Sequence, residues 1–192
     1  ILHGYNRNYL VRYCLLNRLL VTLLKLIRMV MKSEAIALAN YFVDLAKRDN
    51  KPLRQWGLMK RVYITYGFYL ALYDKSILDP TVDRVEAWDK GPVITTVQEQ
   101  FKYYKGDITG KASIGDETPE LTDNSVKAVA DMVWKRYTGY TDQQLVDLLH
   151  REGTPWSLCY RKGANATIPD LYTKTYYLKI VENLRARKAN EQ

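Results

Sequence analysis

The chain has 192 residues, of which 47% are apolar and 26% charged, so it is long enough to form one domain with a buried core. Its two cysteines, Cys14 and Cys159, are too few for a disulfide framework, which favours a reducing, cytoplasmic compartment. The net charge of +8 divides into +5 for residues 1–30 and +3 for the rest, which argues against a surface built to follow nucleic-acid phosphates.

Residues 1–30 form a basic leader with no acidic residue. Leucines recur on one side of residues 15–30 and cations on the other, which predicts an amphipathic helix that could lie on a membrane surface or dock on a partner. The apolar run is too short to span a membrane. Because Met31-Lys32-Ser33-Glu34 resembles the start of a bacterial protein, we expect the leader to lie outside the functional domain, and membrane binding to depend on the leader alone.

Helical periodicity governs the next part of the chain. Ser33 is a candidate N-cap for a helix that should end before Asn50-Lys51-Pro52. The following helix, from Trp56 to Tyr73, is apolar on most of its surface and should lie in the middle of the fold. Gly67 at its centre predicts the close approach of another element.

An irregular segment follows this central helix. Trp88, which we expect to be buried, is followed by Gly91-Pro92, whose backbone preferences predict a short extended arm that turns sharply into a helix. Any β structure should be small and confined to residues 82–95. Thr96-Val97-Gln98-Glu99 fits a capping box for the helix, which should end at Gly106.

The second half of the chain predicts a loop and three further elements. Residues 106–120 have little periodicity and should form a long exposed loop. Thr122 or Asp123 should cap one helix, and Thr141-Asp142-Gln143-Gln144 is a capping box for the next. Gly153-Thr154-Pro155-Trp156 should then form a turn, and a last helix should open at Ile168-Pro169. These elements predict a mainly α, single compact multi-helix domain.

The sequence carries no motif for catalysis or metal binding. After residue 30 the only His and Cys are His150 and Cys159, too few for a structural zinc site, and there is no phosphate-binding loop, nucleophile elbow or HExxH sequence. At a helix end, His150 is expected to bond exposed carbonyls or to favour the negative end of the helix dipole. Cys159 is expected to be a core thiol, and Glu86 to pair with a neighbour. We therefore predict no enzymatic activity, metal or cofactor.

From about Ile36 to Tyr177 the residues resemble a known family. The pattern is carried by Leu58–Tyr63, Gly67, Leu70–Tyr73, Glu86–Val93, Val97, Phe101, Leu145, Leu148, His150-Arg151-Glu152, Pro155-Trp156, Ile168 and Tyr176-Tyr177. It resembles the Panacea domain, the SocA-like antitoxin family that includes phage-associated GepA proteins. Tyr69 stands where the family often has His, and Arg61 where an apolar residue is usual.

The resemblance implies an antitoxin that neutralises a cognate toxin, encoded by an adjacent gene, by direct binding. Some members are similar to adaptors that deliver the toxin to an ATP-dependent protease. The motif residues are the candidate partner-binding residues: Glu86, Trp88, Gly91, Pro92, Val93, His150, Glu152, Pro155 and Trp156. The alternative is a nucleic-acid-binding prophage regulator, which the interleaving of Tyr with Lys and Arg favours.

The predicted organisation therefore has three parts. Residues 1–30 are the basic amphipathic leader, residues 31–185 the antitoxin domain, and residues 186–192 a polar tail. We expect the chain to fray from Arg185 onward.

Overall fold

The structure, a computed structural model, describes residues 7–30 and 33–190. Its helices are α1 (Arg7–Val30), α2 (Glu34–Arg48), α3 (Gln55–Tyr73), α4 (Thr95–Phe101), α5 (Asn124–Tyr137), α6 (Asp142–His150), α7 (Pro155–Cys159) and α8 (Asp170–Asn190), and its strands are β1 (Val85–Trp88), β2 (Gly91–Ile94) and β3 (Ala166–Thr167). The prediction of a mainly α domain with a small β element is confirmed. No helix of the described ranges is long and apolar enough to cross a membrane.

The central helix of the fold is α3. Every residue from Gly57 to Leu70 is buried, because α2, α5, α8 and β2 all pack against it. The prediction that this helix lies inside the fold along its whole length is wrong at both ends. Trp56 is 40% exposed, with the ammonium of Lys90 over its ring, and Tyr73 is 49% exposed, since the core ends one turn before the helix does.

Gly67 allows α8 to approach α3 closely, as its position predicted. A Cβ atom at Gly67 would collide with the ring of Tyr177, which is buried in α8. The same ring meets Phe68 edge-on at 4.9 Å between centroids and Tyr63 at 6.3 Å. The α3–α8 contact is therefore an aromatic junction that depends on a missing side chain.

A three-stranded antiparallel sheet, in the order β2-β1-β3, covers one end of α3. Strand β1 is central, and Val85 and Ala87 are its buried residues. Glu86 and Trp88 alternate to the opposite face and are only partly buried, so the expectation that Trp88 belongs to the core is wrong. Strand β3, the third strand, lies outside the range in which β structure was predicted.

Local capping signals identify three helix starts correctly. The side chains of Ser33, Asp123 and Thr141 cap α2, α5 and α6, and Thr141 forms a complete capping box with Gln144. Thr154 was predicted to lie in a turn, but it caps the short helix α7 by accepting a hydrogen bond from the backbone N–H of Ser157.

The capping box predicted at Thr96 is wrong. Helix α4 starts directly after β2 with Ile94 as its N-cap and no side-chain cap, and it ends at Phe101 and not at Gly106. The Thr96 hydroxyl donates to the carboxylate of Asp83. That carboxylate also accepts from the Ser33 hydroxyl. Because a buried carboxylate needs donors, it takes the hydroxyl that the helix start would otherwise use.

The two chain ends are helical where they are described. In α1, residues 12–23 are exposed on both faces, including Leu19 at 68%. Residues 31 and 32, where the domain was predicted to begin, lie outside the described residues. Helix α8 continues to Asn190, past the point where fraying was expected, because its last turns are rich in Ala, Arg and Lys, which favour helix.

The loop between α4 and α5 is long, as predicted, but it is not exposed throughout, because Ile108 and Ala112 are buried in the core. It contains one isolated antiparallel bridge, between Ile114 and Glu117, and Asp116 and Glu117 are exposed there. The amide of Asn40 in α2 holds the loop by donating to the carbonyls of Ala112 and Pro119, both at 2.9 Å.

Candidate functional site

The candidate site is the set of residues around the β1–β2 hairpin, here called the motif cluster: residues 85–94 with Lys60, His150 and Trp156. Gly91 opens β2 with φ = +106°, a conformation that favours glycine. A Cβ atom on Gly91 would also lie 3.0 Å from Nζ of Lys60 and 3.4 Å from Nε2 of His150. The glycine is thus required both by the turn and by the side chains packed over it.

Pro92 is compatible with the sheet because β2 is an edge strand. It lies opposite Ala87, and its carbonyl oxygen accepts a hydrogen bond from Nζ of Lys60 at 3.1 Å. The Gly-Pro pair therefore sets the turn and presents a carbonyl to a cation from α3.

Within the described residues, Lys60 is the only charged side chain that donates a hydrogen bond to the hairpin from inside the fold. It is 2% exposed, and burial lowers the pKa of its ammonium group to about 7, while the charge of Asp142 acts on that pKa in the opposite direction. A lysine with one carbonyl partner in an apolar surround is close to losing its charge at neutral pH.

Trp156 joins α7 to the hairpin. Its indole Nε1 donates to the carbonyl of Trp88 at 2.8 Å, and its ring stacks on His150 with centroids 3.6 Å apart and planes 2° apart. The ring of Tyr160 stacks on that of Trp156 with centroids 4.5 Å apart, and its hydroxyl donates to Asp89 in the hairpin turn at 2.8 Å. Two separate hydrogen bonds therefore fix the hairpin against α7.

His150 does not have the role that its place at a helix end predicted. Its Nε2 atom is buried and has no hydrogen-bond partner within the described residues, and its ring faces Trp156. Burial lowers the pKa of His150, and the nearby Lys60 lowers it further. The neutral imidazole is therefore favoured, which is the opposite of what stabilisation by a helix dipole requires.

Glu86 pairs with its neighbours, as expected. One carboxylate oxygen accepts from Nε1 of Trp88 at 2.8 Å, and the other lies 3.4 Å from Nε of Arg84. These side chains line a cleft of about 460 Å³, here called the hairpin cleft, together with Thr95 and Glu99 of α4. The cleft is of mixed polarity, with charges of both signs.

The structure brings most of the sequence-predicted site residues together, but not all. Gly91, Pro92 and Val93 are buried in β2, and Pro155 is buried as the first residue of α7. Glu152 lies on the exposed turn before α7, away from the hairpin contacts.

Two residues of the site were not predicted from the sequence. Lys60 was noted only as part of a motif string and Tyr160 was not considered. The signal for Lys60 was its place in a helix apolar on nearly every side, where a cation must be buried. The same signal applies to Arg61, which is 4% exposed and donates to the carbonyl of Tyr137 at 2.9 Å.

Nucleophilic catalysis by a thiol and metal binding have little support in this geometry. Burial raises the pKa of the Cys159 thiol, whereas an activated nucleophile needs a lowered one. Within residues 7–30 and 33–190, no three His, Cys, Asp or Glu side chains are grouped so that they could hold a metal ion.

Comparison with protein families gives one match. The family described as antitoxin SocA-like, Panacea domain, matches residues 58–157, which include most of α3, the whole hairpin, α6 and the start of α7. Neither the curated proteins nor the solved structures include a match to the chain. Because the matched segment makes up more than half of the chain and contains the whole motif cluster, the chain belongs to the SocA-like antitoxin family with a Panacea domain.

Proposed function

We propose that this protein is an antitoxin that neutralises a cognate toxin by binding it directly. The observation that carries the proposal is the family match over residues 58–157, which describes an antitoxin and contains the hairpin and the start of α7. The geometry supports a binding role, because hydrogen bonds from Trp156 and Tyr160 fix the motif residues into one surface.

The contact surface in this proposal is the face formed by the hairpin cleft and α7. Gly91, Pro92 and Val93 are buried and act as its scaffold. The partly buried Glu86 and Trp88 and the exposed Glu152 are available to the toxin, together with the edge of Trp156. Half-buried aromatic side chains held by hydrogen bonds are favourable anchors, since little conformational freedom is lost when a partner covers them.

Three finer statements belong to the same proposal. The toxin is encoded by an adjacent gene, both proteins act in the cytoplasm, and the functional unit is residues 31–185. An adaptor mechanism, in which the bound toxin is passed to an ATP-dependent protease, is a further step that requires the complex to form first.

Growth measurements test the proposal. Expression of the adjacent gene alone should stop growth, and co-expression with the full chain, or with a chain lacking residues 1–30, should restore it. Glu152→Arg should weaken the rescue because it reverses an exposed charge on the turn that leads into α7. Glu182→Arg, an exposed position on α8, is the matched control and should rescue like the wild type. A neighbouring gene that is harmless, or toxicity unchanged by co-expression, would sink the proposal.

A further inference from the structure

An apolar groove of about 680 Å³ lies between α3, α5 and the last turns of α8. Its floor consists of Phe68, Leu72, Met132, Val181 and Leu184. Leu72 is 40% exposed and Met132 37% exposed, so a partner could reach the floor. None of the nine candidate partner-binding residues lines this groove, which makes it a surface separate from the hairpin cleft.

The rim of the groove is basic. It carries Lys135 and Arg136 from α5 and Arg185 and Lys188 from α8, all exposed, and no acidic side chain lines the groove. None of the ion pairs among the described residues includes any of these four cations. Four like charges around an apolar floor repel each other, and carboxylates placed between them would relieve that repulsion.

Three other occupants fit this groove less well. The chain's own leader has five cations and no acid, so the rim would repel it. A lipid bilayer is flat and cannot enter a concave floor. Nucleic acid would match the charge but not the floor, because Phe68, the only aromatic residue there, is 2% exposed and offers no ring for bases to stack on.

We propose that this basic-rimmed groove binds an amphipathic helix of a partner protein, with apolar side chains on the floor and acidic residues along the rim. Docking of an amphipathic helix into an apolar groove is a common mode of recognition, and the charged flanks set its specificity. That the partner is the toxin rests on the proposed function, whereas the preference for an acidic helix rests on the groove alone.

Fluorescence anisotropy with the full chain and a labelled synthetic peptide tests this inference. The peptide is about 18 residues long, or five helical turns, with Leu at helical spacing and Glu on both flanks. We expect it to bind, and to bind more weakly as salt is raised. The charge-reversed peptide, with Lys in place of Glu, should not bind.

Two double variants localise the binding. Lys135→Glu with Lys188→Glu should weaken peptide binding by about tenfold or more, because it replaces attraction by repulsion on both sides of the groove. Lys105→Glu with Lys162→Glu makes the same change of net charge at exposed positions outside the groove and should stay within about twofold of the wild type. Both variants must keep the wild-type thermal unfolding midpoint.

The inference is overturned if the acidic peptide does not bind or if both double variants lose affinity equally. It is also overturned if duplex DNA or vesicles of anionic phospholipid bind the wild type and lose affinity for the Lys135→Glu, Lys188→Glu variant, while the peptide does not bind. Binding of the toxin by the wild type and the rim variant alike would remove the groove from toxin recognition and leave the proposed function intact. If the toxin binds neither the wild type nor the rim variant, the proposed function is contradicted. The peptide measurement would still test whether the groove binds an acidic helix.

Discussion

At the scale of single residues, Gly91 and Lys60 explain why the hairpin has its shape. The turn itself could be predicted, because Gly-Pro restricts the backbone locally. The cation above it could not, since Lys60 lies 32 residues before the carbonyl that it contacts. Local rules describe the backbone preference of the glycine, and only the tertiary structure shows which side chain occupies the space beside it.

Gly91→Ala should lower the free energy of unfolding by about 2–4 kcal/mol, because it adds backbone strain at φ = +106° to a contact with buried Lys60. Gly115→Ala is a reference for a positive φ without crowding, in the left-handed region that costs an alanine less than φ = +106° does. It has φ = +59° with open space around it, so it should cost only about 1 kcal/mol. Urea unfolding measures both, and equal losses would mean that Lys60 does not crowd the turn.

Lys60 should also make stability depend on pH. In the unfolded chain its ammonium keeps its proton to about pH 10.5, whereas in the folded state it loses it near pH 7. Between these values the unfolded state binds more protons, so stability rises with pH. From pH 7 to 8.5 the free energy of unfolding should increase by about 1 kcal/mol per pH unit.

Denaturant unfolding across this range, compared with Lys60→Met, isolates the contribution. The lowered pKa of His150 also makes stability rise with pH, but mainly below pH 6.5. The interval from pH 7 to 8.5 lies above that range. The rise should disappear in Lys60→Met and persist in Lys105→Met, which changes an exposed lysine. A rise that survives in Lys60→Met would assign it to another group.

At the scale of elements, the helices with local signals were predictable and those that depend on distant partners were not. Asp123 and Thr141 cap helices through atoms two or three residues away, so the sequence contains the whole interaction. Thr96 instead serves the carboxylate of Asp83, 13 residues earlier. The burial of Trp88 depended on the register of β1, and β3 is too short to produce an alternating pattern.

The contact between α3 and α8 yields a prediction at this scale. Gly67→Ala should lower the free energy of unfolding by at least about 2 kcal/mol, because the new methyl group meets the buried ring of Tyr177. The gain in helix propensity of about 1 kcal/mol offsets only part of that cost. The double variant Gly67→Ala, Tyr177→Leu should be more stable than Tyr177→Leu alone, because the new methyl group no longer meets the tyrosine ring.

Gly57→Ala is the control within the same helix. Its Cβ would meet the carboxylate of the partly exposed Asp142 and the guanidinium of Arg61, and not a buried ring, so the variant should cost less than Gly67→Ala. Thermal or urea unfolding compares the two. If Gly57→Ala and Gly67→Ala cost the same, the junction with Tyr177 is not the reason for the central glycine.

At the scale of the whole molecule, the fold is a helical scaffold that displays a fixed hairpin. The fold class could be predicted from periodicity, and the order of the motif elements from the family resemblance. Which motif residues face outward could not, because the burial of β2 and the stacking of His150 on Trp156 arise only when α3, α6 and α7 meet. The scaffold and the motif together support a role in binding another protein.

The central claim is that neutralisation occurs by direct binding, and purification of the complex tests it most directly. The tagged full chain, co-expressed with the toxin, should elute with it as one species of fixed stoichiometry in size-exclusion chromatography with light scattering. Rescue of growth without such a complex, with the toxin's messenger RNA reduced, would contradict the claim and indicate repression at the level of nucleic acid.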